Sequence, residues 1–217
     1  MTAKERAAEV LAFFYRQYPD AECSLIQTDP FRLLVAARLS AQCTDARVNE
    51  VCIPLFERWP DAQAMAKAEL AEVEQVVRPC GLYHTKAQSI VAMAQMLGER
   101  FGGRVPDTME ELLELPGVGR KIANLILGDV YGKPCIVADT HCIRISKRLG
   151  LCNSDNPTVT EKTLRKLLPG EEGSFFCHAM VAHGRACCKA RKPECQACGM
   201  ASFCRYAKAA EKESLKK

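Results

Sequence analysis

The sequence predicts an all-α protein, and three observations carry that prediction. Apolar residues recur at helical spacing in segment after segment. Cap signals flank those segments, and no run alternates apolar and polar residues for long enough to make a sheet. Residues 4–17 place Ala7, Val10, Leu11 and Phe14 on one face and stop before Pro19. Asp29-Pro30 is a helix start, an N-cap aspartate followed by proline at the first position, and the helix carries Phe31, Leu34 and Val35. Thr44-Asp45 opens the next, with Val48, Val51, Cys52 and Leu55 in register. Further helices are expected over 62–78, 86–98, 108–115, 120–129, 140–149, 159–168 and 174–183. Thr158-x-x-Glu161 reads as the capping box of the helix over 159–168.

Bulk properties narrow the possibilities without choosing among them. At 217 residues the chain can bury a sizeable core, and 48% hydrophobic with 26% charged residues is ordinary for a globular protein. A net charge of +4 permits a polyanionic partner, but any positive surface must come from clustering. No stretch approaches membrane-spanning length and the N-terminus has no apolar signal core, so an intracellular location is expected. Thirteen cysteines is a high and odd count; without a secretory signal it argues against a disulfide framework. Eight of them, Cys23, Cys43, Cys52, Cys80, Cys135, Cys142, Cys152 and Cys177, read as small apolar residues of helical segments.

Chemistry concentrates in LPGVGRKIANLILGDVYGKPCIVADTHCIR, residues 115–144. Thr108-Met-Glu-Glu111 caps a short helix that Pro116 stops. Gly117 and Gly119 are expected to supply backbone angles that a side chain forbids, so that a second helix starts near Arg120. The turn should leave the N–H groups of Val118, Gly119 and Arg120 unpaired at a helix N-terminus, where a phosphate can dock. Lys121 sits at the positive end of that helix, which disfavours an ammonium and favours the neutral amine a nucleophile needs. As a bare pattern, the segment also fits an ordinary helix turn followed by a phosphate-contacting lysine. Asp139, eighteen residues on, can N-cap the next helix and still present an oxygen outward.

A second cluster closes the chain: Cys188-x6-Cys195-x2-Cys198-x5-Cys204, interleaved with Lys189, Arg191 and Lys192. Four cysteines so close in sequence must wrap something. Zinc is the generic occupant of a Cys₄ site, but only one close C-x-x-C pair is present, and uneven spacing suits a [4Fe-4S] cluster. Lys189, Arg191 and Lys192 on the intervening loop would then be aimed at phosphates.

LPGVGRK followed by VADTH, together with the cysteine quartet, resembles the endonuclease III family of helix-hairpin-helix DNA glycosylases, over nearly the whole chain. The resemblance implies two helical lobes with a DNA cleft between them: a six-helix domain over 23–132 containing the hairpin, and a discontinuous domain of 1–22 and 133–217 carrying a [4Fe-4S] cluster in the loop 188–204. Cys188, Cys195, Cys198 and Cys204 are then the cluster ligands and Cys187 is spare. Gln42 and Leu82 match the positions that fill the gap left by an extruded nucleotide. Lys121 and Asp139 become the catalytic pair of a bifunctional glycosylase and abasic-site lyase that removes oxidised pyrimidines through a Schiff base and nicks the strand by β-elimination. The implied partner is double-stranded DNA with damaged pyrimidines or abasic sites. A monomer is expected, cytoplasmic and nucleoid-associated. Two rivals share these features: a monofunctional or catalytically idle hairpin DNA-binding protein, and a zinc-stapled structural protein.

Overall fold

The computed structural model describes residues 1–214, with side chains described to residue 211; residues 215–217, the end of the expected discontinuous lobe, lie outside the described residues. Every regular element among the described residues is helical, and none of these helices is long and apolar enough to cross a membrane. The chain divides into two compact units, one of residues 23–132 and one joining residues 1–22 to the chain from 133 onward.

The unit of residues 23–132 is built around α2 (Pro30–Leu39), which Asp29 caps by accepting the Arg32 N–H at 2.9 Å. Seven of its ten residues are buried, so it lies at the centre of the unit. It packs on α3 (Asp45–Arg58), α6 (Tyr83–Phe101) and α8 (Arg120–Asp129). Leu34, Leu39, Leu55, Ile90, Leu97 and Ile126 are sealed in this core, each contributing about 1.5–3 kcal/mol by leaving water. The stretch expected as one helix over 62–78 is interrupted. It forms α4 (Ala62–Ala66) and α5 (Leu70–Val77), because Glu69 is extended at φ −67°, ψ 122° and restarts the helix. Both pieces lie on α6. Counted as one interrupted element, with α7 (Met109–Glu114) included, the unit keeps six.

In the other unit, α1 (Ala3–Gln17) begins with a capping box in which Thr2 and Glu5 each satisfy the other's backbone N–H. Phe14 and Phe176, both fully buried, meet edge to face at 5.5 Å and tie α1 to α11 (Gly173–Ala186). Helix α11 starts at a glycine because a Cβ there would lie 1.9 Å from the Cys135 carbonyl oxygen. α10 (Pro157–Leu167) is not capped as expected. Asn156 accepts from Thr158 N–H at 2.9 Å and Val159 N–H at 3.2 Å, while Glu161 is buried and faces Arg165 at 3.3 Å. Asparagine with proline at the next position outcompetes Thr158 as a start signal. A last helix, α12 (Arg205–Ser214), lies beyond the helices expected from the sequence; with α10 and α11 it packs on α9 (Thr140–Leu149). Of the eight scattered cysteines six are buried, and Cys23 and Cys43 are half-buried.

Candidate active site and DNA-contact surfaces

The hairpin is tighter than the sequence suggests. Leu115 is the C-cap of α7, and its carbonyl accepts the Val118 N–H at 3.1 Å, which closes a four-residue turn with Pro116 second and Gly117 third. Gly117 has φ +79°, the angle a type II turn needs at that place. Two expectations are thereby corrected. The Val118 N–H is engaged in the turn and its side chain is buried, so Val118 anchors the hairpin and does not offer a donor to phosphate. Gly119, at φ −101°, needs no left-handed freedom. Its service is space, since a Cβ there would meet nothing within 4 Å and the N-cap of α8 is open on that side. Arg120 is the first residue of α8 and half-buried.

Lys121 follows at the second position of α8 and is exposed. The helix buries Ala123, Ile126 and Leu127, which turns the lysine's face away from the core. Gln42 and Leu82 are also exposed, Leu82 at 57%, unusual for a large apolar side chain. Both are left-handed, at φ 55° and 48°. Among the described residues three non-glycine positions have positive φ, and the third is Lys192 at 51°. Gln42 and Leu82 are positions that the family resemblance assigns to DNA contact, and Lys192 is on the loop expected to face phosphates. Such conformations cost of order 1–3 kcal/mol each and persist where the surrounding structure holds them.

What holds the hairpin and these two loops is a chain of buried and part-buried polar contacts that the sequence does not announce. Gly117 packs so closely on α2 and α6 that a Cβ would lie 2.5 Å from Arg38 Nε and 2.8 Å from Ser89 Cβ. Arg38 Nε donates to Ser89 Oγ at 2.8 Å, and Ser89 Oγ donates to the Lys86 carbonyl at 2.9 Å. Lys86 itself is fully buried, its Nζ 2.8 Å from the carbonyl oxygens of Leu39 and Cys80. Burial lowers the pKa of both the Arg38 guanidinium and the Lys86 ammonium.

In the other unit Asp139 is the N-cap of α9, its Oδ1 accepting the Cys142 N–H at 2.7 Å. The buried run Cys135–Ala138 fixes the approach to it, and the residue itself is half-buried. Helix α9 then reaches the cysteine loop. Arg148 donates from Nη1 to the Lys189 carbonyl at 2.7 Å and from Nη2 to the Ala190 carbonyl at 3.0 Å, and its Nη1 lies 3.2 Å from Cys188 Sγ. Arg144 Nη2 donates to the Cys188 carbonyl at 3.0 Å. The i, i+4 spacing of Arg144 and Arg148 was the signal, but on a helix it reads as a solvated face.

Cys188, Cys195, Cys198 and Cys204 line one small cavity together with Arg148, His183, Cys187 and Met200. None of the four is in a disulfide. Burial, reinforced by the neighbouring thiols, raises the Cys195 thiol; Cys204 is raised by burial first. Four soft donors converging on one enclosed space fit a thiolate-bound iron–sulfur cluster, whose positive irons relieve that repulsion. Two further contacts address the sulfurs. His183 Nε2 lies 3.8 Å from Cys198 Sγ, and burial pushes its imidazole down to about 4. Cys187, the neighbour set aside by the sequence reading, also borders the cavity: its Sγ, that of Cys198 and a ring nitrogen of His183 lie within 4.8 Å of one another. On the loop, Arg191 and Lys192 are exposed, and Lys189 Nζ pairs with Glu194 at 2.6 Å.

Comparison with known proteins finds two family matches, the first of which spans parts of both units. Residues 35–170 match the family described as HhH-GPD superfamily base excision DNA repair protein, and residues 188–204, from the first cysteine of the quartet to the last, match the iron-sulfur binding domain of endonuclease III. The endonuclease III of Synechocystis sp. is 44% identical over 95% of this chain and 94% of its own length. That of Bacillus subtilis is 42% identical over 92% of each, and that of Escherichia coli 35% identical over 94% and 96%. Among solved structures, a trapped endonuclease III–DNA covalent intermediate superposes with a TM-score of 0.92 at 42% identity, covering 97% of this chain and 100% of that one. A thermostable thymine-DNA glycosylase shares the fold, with a TM-score of 0.84 at 22% identity over 95% and 97%.

Proposed function

The chain belongs to the endonuclease III family within the HhH-GPD superfamily of base excision DNA repair proteins, and from that premise we propose that Lys121 and Asp139 carry its reaction, on oxidised pyrimidines in duplex DNA. It is a DNA N-glycosylase and abasic-site lyase that binds DNA and holds an iron–sulfur cluster. The observation that carries the residue assignment is the exposure of Lys121 two positions past an open helix N-cap, with its apolar neighbours turned into the core.

The chemistry follows from the groups. A base within a stack is out of reach of a lysine, so the nucleotide is extruded; Leu82 wedges into the gap and Gln42 bonds the orphaned partner base. The neutral Lys121 amine attacks C1′ and the bond from C1′ to the base breaks, the base leaving with the electron pair and taking up a proton. The Asp139 carboxylate stabilises positive charge developing on the sugar. Ring opening gives a Schiff base between Nζ and C1′. That cation acidifies the C2′ proton; its removal forms the C2′–C3′ double bond as the C3′–O bond breaks and the 3′ phosphate departs. Hydrolysis then returns the amine. Gly119 and Arg120 receive a phosphate at the hairpin.

The cluster held by Cys188, Cys195, Cys198 and Cys204 is a [4Fe-4S] cube that serves as a structural anchor. Arg148 and Arg144 fix the loop's backbone, and Arg191 and Lys192, with Lys189 once it exchanges Glu194 for phosphate, grip the DNA backbone. The protein is proposed to work as a monomer. A duplex-DNA substrate supports a location in the cytoplasm with the nucleoid. Borohydride reduction during incubation with abasic-site DNA tests the reading. The native protein is captured covalently, and Lys121→Ala is not captured although it still binds; capture of Lys121→Ala at the native level would assign the amine elsewhere.

A further inference from the structure

Lys86 is the one lysine among the described residues that is wholly buried, and the mechanism above gives it no task. It stands in the first turn of α6, four residues after Leu82, whose carbonyl accepts the Lys86 N–H at 3.0 Å. Its Nζ reaches two carbonyls, 2.8 Å each, that belong to different segments. The Leu39 carbonyl lies at the C-terminal end of α2, three residues before Gln42. The Cys80 carbonyl lies at the end of the 3₁₀ turn Arg78–Cys80, two residues before Leu82. Carbonyls at helix ends carry partial negative charge, so one ammonium answers both.

Two features set this apart from a packing lysine. An ammonium removed from water is a costly group where a leucine or methionine would fill the space. And the segments it joins are those whose exposed tips, Gln42 and Leu82, hold left-handed backbone without glycine. Such tips stay in place only if what lies beneath them is fixed.

We propose that Lys86 is a positioning residue for nucleotide extrusion: its buried ammonium ties the Gln42 loop to the Leu82 loop, so that the two gap-filling side chains are presented as a pair. This rests on the assignment of Gln42 and Leu82 to gap filling. The ion pairs of Lys189 and the hairpin's own turn are independent of it. Lys86 does not touch DNA; it acts through the two loops. Removing the ammonium therefore slows cleavage only where a nucleotide must leave a stack.

The test uses the full chain with its cluster and compares single-turnover strand cleavage at an oxidised pyrimidine in duplex DNA with cleavage at the same base in a single strand, where nothing needs to leave a duplex stack. The ratio of the two rates is independent of the fraction of protein folded, so a destabilised variant still gives an answer. Lys86→Met lowers the duplex-to-single-strand ratio on the order of tenfold or more, and Lys86→Arg, which keeps a buried cation and donors, recovers part of it. Gln42→Ala and Leu82→Ala, measured alongside, lower the same ratio. Adding Lys86→Met to the Gln42→Ala, Leu82→Ala double variant lowers it no further, as expected of a residue that works through those two. An unchanged ratio in Lys86→Met, while the loop variants lower it, overturns the role of Lys86 alone. An unchanged ratio in the loop variants overturns the gap-filling assignment itself, whatever Lys86→Met does.

Discussion

The hairpin end of residues 23–132 and the cysteine loop of the other unit present the same kind of surface by different means. Each offers short exposed segments with left-handed non-glycine backbone, Gln42 and Leu82 on one, Lys192 on the other. The first is held entirely by the chain itself, through Gly117 packed on Arg38 and Ser89 and through the Lys86 ammonium on two carbonyls. The second has two arginines of α9 on its carbonyls and four thiols around a cavity. A loop with little beyond Met200 and Cys204 buried gains most of its order from ligation; a hairpin seated on a core does not need it.

The largest expected contrast comes from removing the metal. Chelation of the cluster iron should free residues 188–204 to exchange their amide hydrogens at nearly the rate of an unfolded chain, while residues 117–130 keep their protection. DNA binding should lose up to three phosphate contacts, lowering the slope of log affinity against log salt by about 0.9 for each. Equal loss of protection in both segments would show that the two surfaces depend on one support.

Gly117→Ala attacks the comparison from the other side. A Cβ at φ +79° that meets Arg38 and Ser89 at 2.5 and 2.8 Å should cost about 2–4 kcal/mol, read from urea unfolding. Iron content at low denaturant should stay native. Arg148→Lys should cost about 1–3 kcal/mol, because one ammonium cannot span the Lys189 and Ala190 carbonyls that the guanidinium fork reaches. Faster iron release to a chelator measures it, with the hairpin's amide protection unaltered. The smallest effect separates two cap readings of α10: Asn156→Ala should lose about 1 kcal/mol by thermal unfolding and Thr158→Ala about half that or less, since Asn156 makes both cap bonds.

Much of this molecule could be read along the chain because the signals are local. Asp29-Pro30, Thr44 and Asp139 cap the helices that the sequence assigns to them, and α8 and α9 begin directly after Gly119 and Asp139. The exposed Lys121 follows from the turn before it and the apolar stripe after it. Local reading failed where two local signals compete. Asn156-Pro157 prevailed over Thr158, and the helix formers of 62–78 hid the extended backbone at Glu69. It failed also where one glycine was given another's role: Gly117 supplies the unusual angle and Gly119 only the room.

The sequence by itself determined the helices, their caps, the hairpin with its lysine and the quartet of thiols, because each depends on residues within a turn or two of one another. Only the tertiary structure decided which charged side chains stand in water and which are sealed. Lys86 looks like a surface residue of an amphipathic helix, yet it is sealed, and one of its two carbonyl partners is 47 residues away along the chain; the half-buried Arg148 reaches a carbonyl 41 residues away. The free energy of burying a charge depends on the groups that the fold brings around it, and those groups carry no mark in the sequence beside the residue they hold.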